Sequence, residues 1–309
     1  MFKEALEMRR LLAEANPQAY EPDVATTLLN LGNLYSDTQR FAESEEMYKE
    51  ALEIRRRLAE ANPQVFEPDL AASLHDLAIL YCDTKLFSKS EALFKEALEI
   101  YHRLAQANPQ AYDSNVAMTL DELAILYNNS MRIDESEKMY KAALEIRYRL
   151  SELNSQVYDV SLAKSIKGLA DIYQKGKRFK ESEEKLIEAL EIYKRIYENN
   201  SSQANNDNTY SEIISNLSKN CIFMKQFAQA EQYAREGLQV DSTQHLIYTN
   251  LAASLLFQGK YEEAEQIYRQ YKEDLKDSFL DDFRQFAEAG VIPKELEAEV
   301  ERIKQMLEE

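Results

Sequence analysis

A 46-residue period in the first two thirds of this 309-residue chain limits what it can fold into more than any other feature. Asn16-Pro17, Asn62-Pro63 and Asn108-Pro109 recur at that step, and Asn154-Ser155 continues the series. Tyr20, Phe66, Tyr112 and Tyr158 follow in register, and so do Tyr35, Tyr81, Tyr127 and Tyr173. Ser44, Ser90, Ser136 and Ser182 keep the step, as do Ala51, Ala97, Ala143 and Ala189. Residues 16–61 and 62–107 agree at 26 of 46 positions. Self-similarity at such a step marks a solenoid, in which each unit buries its apolar face only against its neighbours.

Each unit reads as two helices joined by a turn. In the second unit the first helix is expected to open at Glu67-Pro68-Asp69, because the missing N–H of proline has no partner in a first turn anyway. Leu74, Leu77, Ala78 and Tyr81 then share one helical face. Asp83-Thr84-Lys85 reads as a polar turn. Phe87, Ser90, Phe94, Ala97, Leu98 and Tyr101 make a second stripe, and Asn108-Pro109 reads as the loop closing the unit. Small side chains at 78, 90 and 97 let neighbouring helices approach closely. Only 6 Gly and 6 Pro in the whole chain fit an all-α protein with short connections.

These offsets resemble the tetratricopeptide repeat, with Leu77-Ala78-x-x-Tyr81, Phe87, Ser90, Phe94 and Ala97 in its pattern. Ser stands where the repeat has its first Ala, in four units. Further along, Leu217-Ser218, Phe227, Ala230 and Gly237 are followed by Leu251-Ala252, Gly259, Tyr261 and Ala264, and Phe227 to Tyr261 is the 34-residue length of that repeat. The 46-residue units look like the same motif with a longer second helix and a longer Asn-Pro loop. The entry Glu21-Pro22-Asp23-Val24-Ala25-Thr26-Thr27-Leu28-Leu29-Asn30-Leu31 is similar to that of kinesin light chains and related bacterial proteins. The resemblance, over residues 1–275, implies a right-handed α-α superhelix of helix-turn-helix repeats.

On this reading, repeats occupy 16–61, 62–107, 108–153, 154–201, 202–241 and 242–275, in one continuous solenoid. Residues 1–15 match a second helix that lacks its first helix. Its apolar stripe is expected to be covered by an upstream segment or a partner, and self-association there is one outcome. Residues 199–208 read as a polar loop. Residues 276–309 read as a capping pair, with Asp277-Ser278 starting a helix that carries Phe279, Leu280, Phe283 and Phe286. Ala289-Gly290 ends that helix, and Pro293 opens a last one with Leu296, Val300, Ile303 and Leu307 on one face.

Charge and motif content narrow the function. A net charge of -18 repels phosphate backbones and anionic lipid, so neither nucleic acid nor membrane is expected as partner. No apolar run is long enough to span a bilayer, and the N-terminus lacks the apolar core of a signal peptide; a cytoplasmic protein is expected. Cys82 and Cys221 share no motif, and His75, His102 and His245 fall in different repeats. No metal site, cofactor loop or nucleophile elbow is legible, so no catalysis is expected. Arg57, Arg103, Arg149 and Arg195 keep the 46-residue step and are expected to pair with glutamates of adjacent units.

The resemblance places ligands on the face lined by the first helices. The candidate groove residues there are Asn30, Asn33, His75, Asp76, Ile79, Met118, Asp121, Glu122, Ile125, Lys164, Lys167, Asp171, Asn216 and Lys219. The Lys/Asn/Arg clamp by which some family members grip a terminal carboxylate is not reproduced as a set, although Asn33 matches one position. The candidates form an acidic wall (Asp76, Asp121, Glu122) and a basic one (Lys164, Lys167). The expected function is a protein- or peptide-binding scaffold, its ligand an extended segment of about 8–12 residues with mixed charge. The alternative is a regulatory sensor module binding a small ligand within a larger protein.

Overall fold

A computed structural model describes residues 2–199 and 208–309, and almost all of them are helical. Apart from its two ends, the polar stretch read at 199–208 lies outside the described residues, as does the repeat boundary at 201/202. The described chain forms two compact units, Met1–Leu153 and Asn154–Glu309. The boundary in the chain falls between the third and fourth 46-residue repeats.

The first unit contains α1 (Phe2–Ala15), α2 (Pro17–Asp37), α3 (Phe41–Ala61), α4 (Pro63–Asp83), α5 (Phe87–Ala107), α6 (Pro109–Asn129) and α7 (Ile133–Leu153). The second contains α8 (Ser155–Lys175), α9 (Phe179–Asn199), α10 (Thr209–Phe223), α11 (Phe227–Val240), α12 (His245–Phe257), α13 (Tyr261–Gln270) and α14 (Lys272–Glu288). A short 3-10 turn at Lys294–Leu296 then leads into α15 (Glu297–Glu308).

The Asn-Pro pairs are not loops. Asn16, Asn62, Asn108 and Asn154 are the N-caps of α2, α4, α6 and α8, with Pro17, Pro63 and Pro109 in the first helical turn. The side chains of Asn16, Asn108 and Asn154 accept from the amides of Ala19, Ala111 and Val157, which occupies one of the orphan donors of a helix start. The first helices therefore begin about one turn earlier than Glu67-Pro68 suggests, and Pro22 and Pro68 sit inside them. Each of these prolines removes the donor for the carbonyl four residues back, at Gln18 or Gln64. Both glutamines are exposed, so water can serve those carbonyls. Two 21-residue helices, a three-residue turn and one asparagine fill each period.

The turn inside each helix pair, from α2–α3 to α12–α13, bends through a left-handed residue. Gln39, Lys85, Met131, Lys177 and Lys225 have φ of 58 to 62°, and Gly259 has 78°. The next amide then reaches back to the last helical turn, as Leu86 does to the Tyr81 carbonyl at 2.7 Å. The repeated serines fasten the same joint. Ser44, Ser90, Ser136 and Ser182 are buried, and each Oγ donates to a carbonyl of the preceding helix, at Gly32, Ala78, Ala124 and Ala170, over 2.7–2.8 Å.

The first core runs from Leu6 through Val24, Leu28, Ala51, Leu74, Ala97 and Leu120 to Ala143. Phe66 and Tyr112 pack against its edge. A Cβ at Gly32 would meet the Tyr48 ring at 2.6 Å, so a larger residue there would need that ring to shift. The second core joins Cys221, Ala230, Ala252 and Ala264 to Phe279, Phe283, Phe286, Val300, Ile303 and Leu307. Asp277-Ser278 does not start the capping helix, because α14 already begins at Lys272. Leu6 faces inward, whereas Met8 and Leu11 of α1 are 65% and 67% exposed.

The arginine series pairs within a repeat and not between repeats. Arg57 reaches Glu21, Arg103 reaches Glu67, Arg149 reaches Asp113 and Arg195 reaches Asp159, each 36 residues back and on the first helix of the same unit. The lengthened first helix brings that acidic residue level with the end of the second helix. Contacts between repeats come from a different set, including Arg10 with Glu50 and Arg56 with Glu96.

Candidate functional site

In the first unit the candidate residues lie on α2, α4 and α6, which carry their apolar stripes into the core and turn the flanking positions outward. Asn30 is exposed, and Asn33 accepts a hydrogen bond from the Tyr48 hydroxyl. Met118 and Ile125 are each 37% exposed, and Ile79 is half-buried beside them in sequence position on the neighbouring α4. These apolar side chains flank two carboxylates, Asp76 and Glu122, which occupy equivalent positions one period apart.

Asp76 and Glu122 are both half-buried, and neither has a hydrogen bond or ion pair among the described residues. Burial disfavours the charged form of a carboxyl group. It raises Asp76 to about 6, against the pull of the Arg55 guanidinium. Burial, reinforced by the charges of Asp121 and Asp83, raises Glu122 to about 7. Arg55 cannot neutralise Asp76 fully because it is spent elsewhere: it donates to the Asp69 carbonyl at 2.6 Å and to Ser73 Oγ at 3.0 Å. Tyr48 and Tyr101 feel the same field; burial first, and then Asp76, lift both hydroxyls to about 12.

Two other candidates in this unit have structural partners. His75 is only 5% exposed and sits edge-on to Phe94 with ring centroids 5.3 Å apart. Burial holds its imidazole neutral, at about 4. Its side chain points into the helix packing and does not face solvent. Asp121 takes Arg147 at 2.6 and 2.8 Å.

In the second unit the basic candidates are also engaged. Lys167 bridges Asp171 at 3.2 Å and Glu212 at 2.8 Å, and Asn216 donates to Asp171 at 2.7 Å. Lys219 pairs with Asp282 of α14 at 3.0 Å. Lys164 is exposed. Opposite charges have therefore engaged Lys167 and Lys219, whereas Asp76 and Glu122 keep their charge requirement open. Sequence reasoning missed Arg55, Tyr48 and Tyr101, which enter this face from the second helices. The recurrence of arginine at 9, 55 and 147 was the available signal.

Among the described residues no group of three or more His, Cys, Asp or Glu side chains is placed to hold a metal ion. No described helix is long and apolar enough to cross a membrane. Cys82 is half-buried and Cys221 buried; burial raises both thiols, the second to about 12.

Two tetratricopeptide repeat family models match, one over residues 23–103 and the other over 116–154, 162–203 and 246–270. Among curated proteins none matches the sequence. BtubC (BKLC) from P. vanneervenii superposes with a TM-score of 0.61 and 22% identity, over 75% of this chain and 90% of its own. The apo form of RapI gives 0.61 and 16%, over 92% and 97%. The pilF protein of Pseudomonas aeruginosa gives 0.56 and 14%, over 86% and 98%. At these identities the likeness is one of fold.

Proposed function

Because this chain belongs to the tetratricopeptide repeat family, a family of protein-interaction scaffolds, we propose that the shared face of α4 and α6 is a docking site for a basic, partly apolar peptide segment. The observation behind this reading is the pair Asp76 and Glu122, half-buried and without ionic partners, beside exposed Met118 and Ile125. A desolvated carboxylate is unfavourable until a cation or donor reaches it. A lysine or arginine side chain supplies both, and a neighbouring aliphatic residue covers Ile125. Exposed charge pairs contribute only about 0–1 kcal/mol, but hydrogen bonds to a charged group in a partly dry site contribute about 1.5–3 kcal/mol. Affinity therefore rests on these two carboxylates more than on the solvated glutamates elsewhere. An acidic half of a mixed-charge ligand would have to compete with Asp171 and Glu212 for Lys167.

Fluorescence anisotropy with labelled extended peptides tests this. A peptide alternating arginine and leucine should bind at pH 8 and an alternating glutamate and leucine peptide should not. The double variant Asp76→Asn, Glu122→Gln should weaken the basic peptide by about 10-fold or more. Equal binding of both peptides, or no change in the double variant, removes the basis for this site. The apolar side of α1 is a second association surface, formed by Met8, Leu11 and Leu12.

A further inference from the structure

The second unit contains a cavity of about 340 Å³ that plays no part in the peptide site. It opens where the C-terminal ends of α8, α10 and α14 meet the start of α9. One wall is aromatic: Phe179 and Phe223 stack with ring centroids 4.5 Å apart and an interplanar angle of 4°. The fully buried Phe286 fixes that wall from behind, edge-on to Phe223 at 5.3 Å. Ala289 also lines the cavity. Around this apolar surface stand three lysines, Lys175, Lys177 and Lys219, and one acid, Glu288. Lys219 is paired with Asp282, and Asp171 lies within electrostatic reach of Lys175.

We propose that this cavity binds a compact organic anion, a carboxylate or phosphate carried on a flat apolar body. The volume falls within the range of about 300–1,000 Å³ typical of small-molecule sites and is too small for a folded partner. Lysines near helix C-termini also complement the helix dipole, and that accounts for Lys175. It does not account for Lys177, which lies past the end of α8, is exposed and has no ion pair among the described residues. Nor does it account for Lys219, whose ammonium gives one contact to Asp282 and has two further donors. The two amide side chains on the rim are oriented by neighbours: Gln174 donates to Asn220 at 2.9 Å and Gln285 to Asp281 at 2.6 Å. An aromatic ring laid along Phe179 and Phe223 would place its acidic substituent at the lysines. The reading is independent of the peptide site and corresponds to a small-ligand sensor.

Isothermal titration calorimetry of the full chain with phenylacetate, benzyl phosphate and uncharged phenylacetamide tests it. At least one of the two anions should bind saturably at one site, 10-fold or more tighter than the amide, and the preferred anion identifies the acidic group. Lys177→Gln, at an exposed turn position, should weaken that anion about 3-fold, and Lys175→Gln with Lys177→Gln 10-fold or more. Ala289→Trp should fill the cavity and abolish binding; circular dichroism checks that it folds, and if it does not, the wild-type anion-against-amide comparison and Lys177→Gln decide. Absence of saturable binding by either anion overturns the proposal. So does amide binding as tight as the anion, or indifference to the lysine variants.

Discussion

Replacing Ser90 by alanine removes one hydroxyl from the joint between α4 and α5. The hydroxyl donates to the Ala78 carbonyl at 2.7 Å, and both residues are 0% exposed. Ala78 sits inside α4, so its carbonyl keeps its place in the helical ladder and is not orphaned. The cost is therefore the net value of one buried hydrogen bond, about 0.5–1.5 kcal/mol, and not the larger penalty of an unsatisfied group. Repeats couple chiefly to their neighbours, so the loss should be local. Amide hydrogen exchange is the suitable assay, because an array of this kind need not unfold in one step. A loss of about 1 kcal/mol lowers protection in α4 and α5 about 5-fold and leaves α1 and α2 unchanged. Ser44→Ala and Ser136→Ala should act likewise on their own helix pairs. The three share no partner, so together they should cost about 3 kcal/mol across the first unit. Ser88→Ala, at an exposed position of α5, is the control and should stay within about 0.5 kcal/mol. Unchanged or increased protection in Ser90→Ala would show that small size alone, and not the hydrogen bond, explains serine at this position.

Two further outcomes are expected. Asp76 and Glu122 hold their protons more tightly folded than unfolded, so their contribution to stability is full below about pH 4 and is lost as pH rises to about 6 and 7. Asp76→Asn, Glu122→Gln should accordingly raise the melting temperature at pH 8 and change it little at pH 4; equal shifts at both would contradict the buried-carboxylate reading. On α1, Leu11→Glu should abolish any self-association detected by sedimentation velocity, since Leu11 is 67% exposed, whereas Leu6, at 7%, belongs to the core. A wild type that stays monomeric at high concentration excludes this surface as a self-contact.

The sequence by itself determined the helical architecture. Helix faces follow from a 3.6-residue period, and that information is local: Leu74, Leu77, Ala78 and Tyr81 are buried because their spacing allows no other common face. The 46-residue step likewise fixed which helices repeat, and the small residues at 78, 90 and 97 fixed where they touch. Even so, the sequence placed the start of each first helix a turn too late. Pro22 and Pro68 resemble first-turn prolines, and only the structure shows that exposed Gln18 and Gln64 let them sit deeper.

Only tertiary structure decided which charges remain available. Asp76, Asp121, Lys167 and Lys219 look equally free along the chain, yet Asp121 meets Arg147, Lys167 meets Glu212 and Lys219 meets Asp282, while Asp76 meets no ionic partner. Those partners come from other helices, 26 to 63 residues away. The cavity in the second unit depends still more on packing, since Gln174 and Ala289 reach one space from α8 and the end of α14. Whether a side chain is spent or available depends on side-chain distances of a few ångströms across helix contacts, and a local hydrophobic period carries no information about those distances.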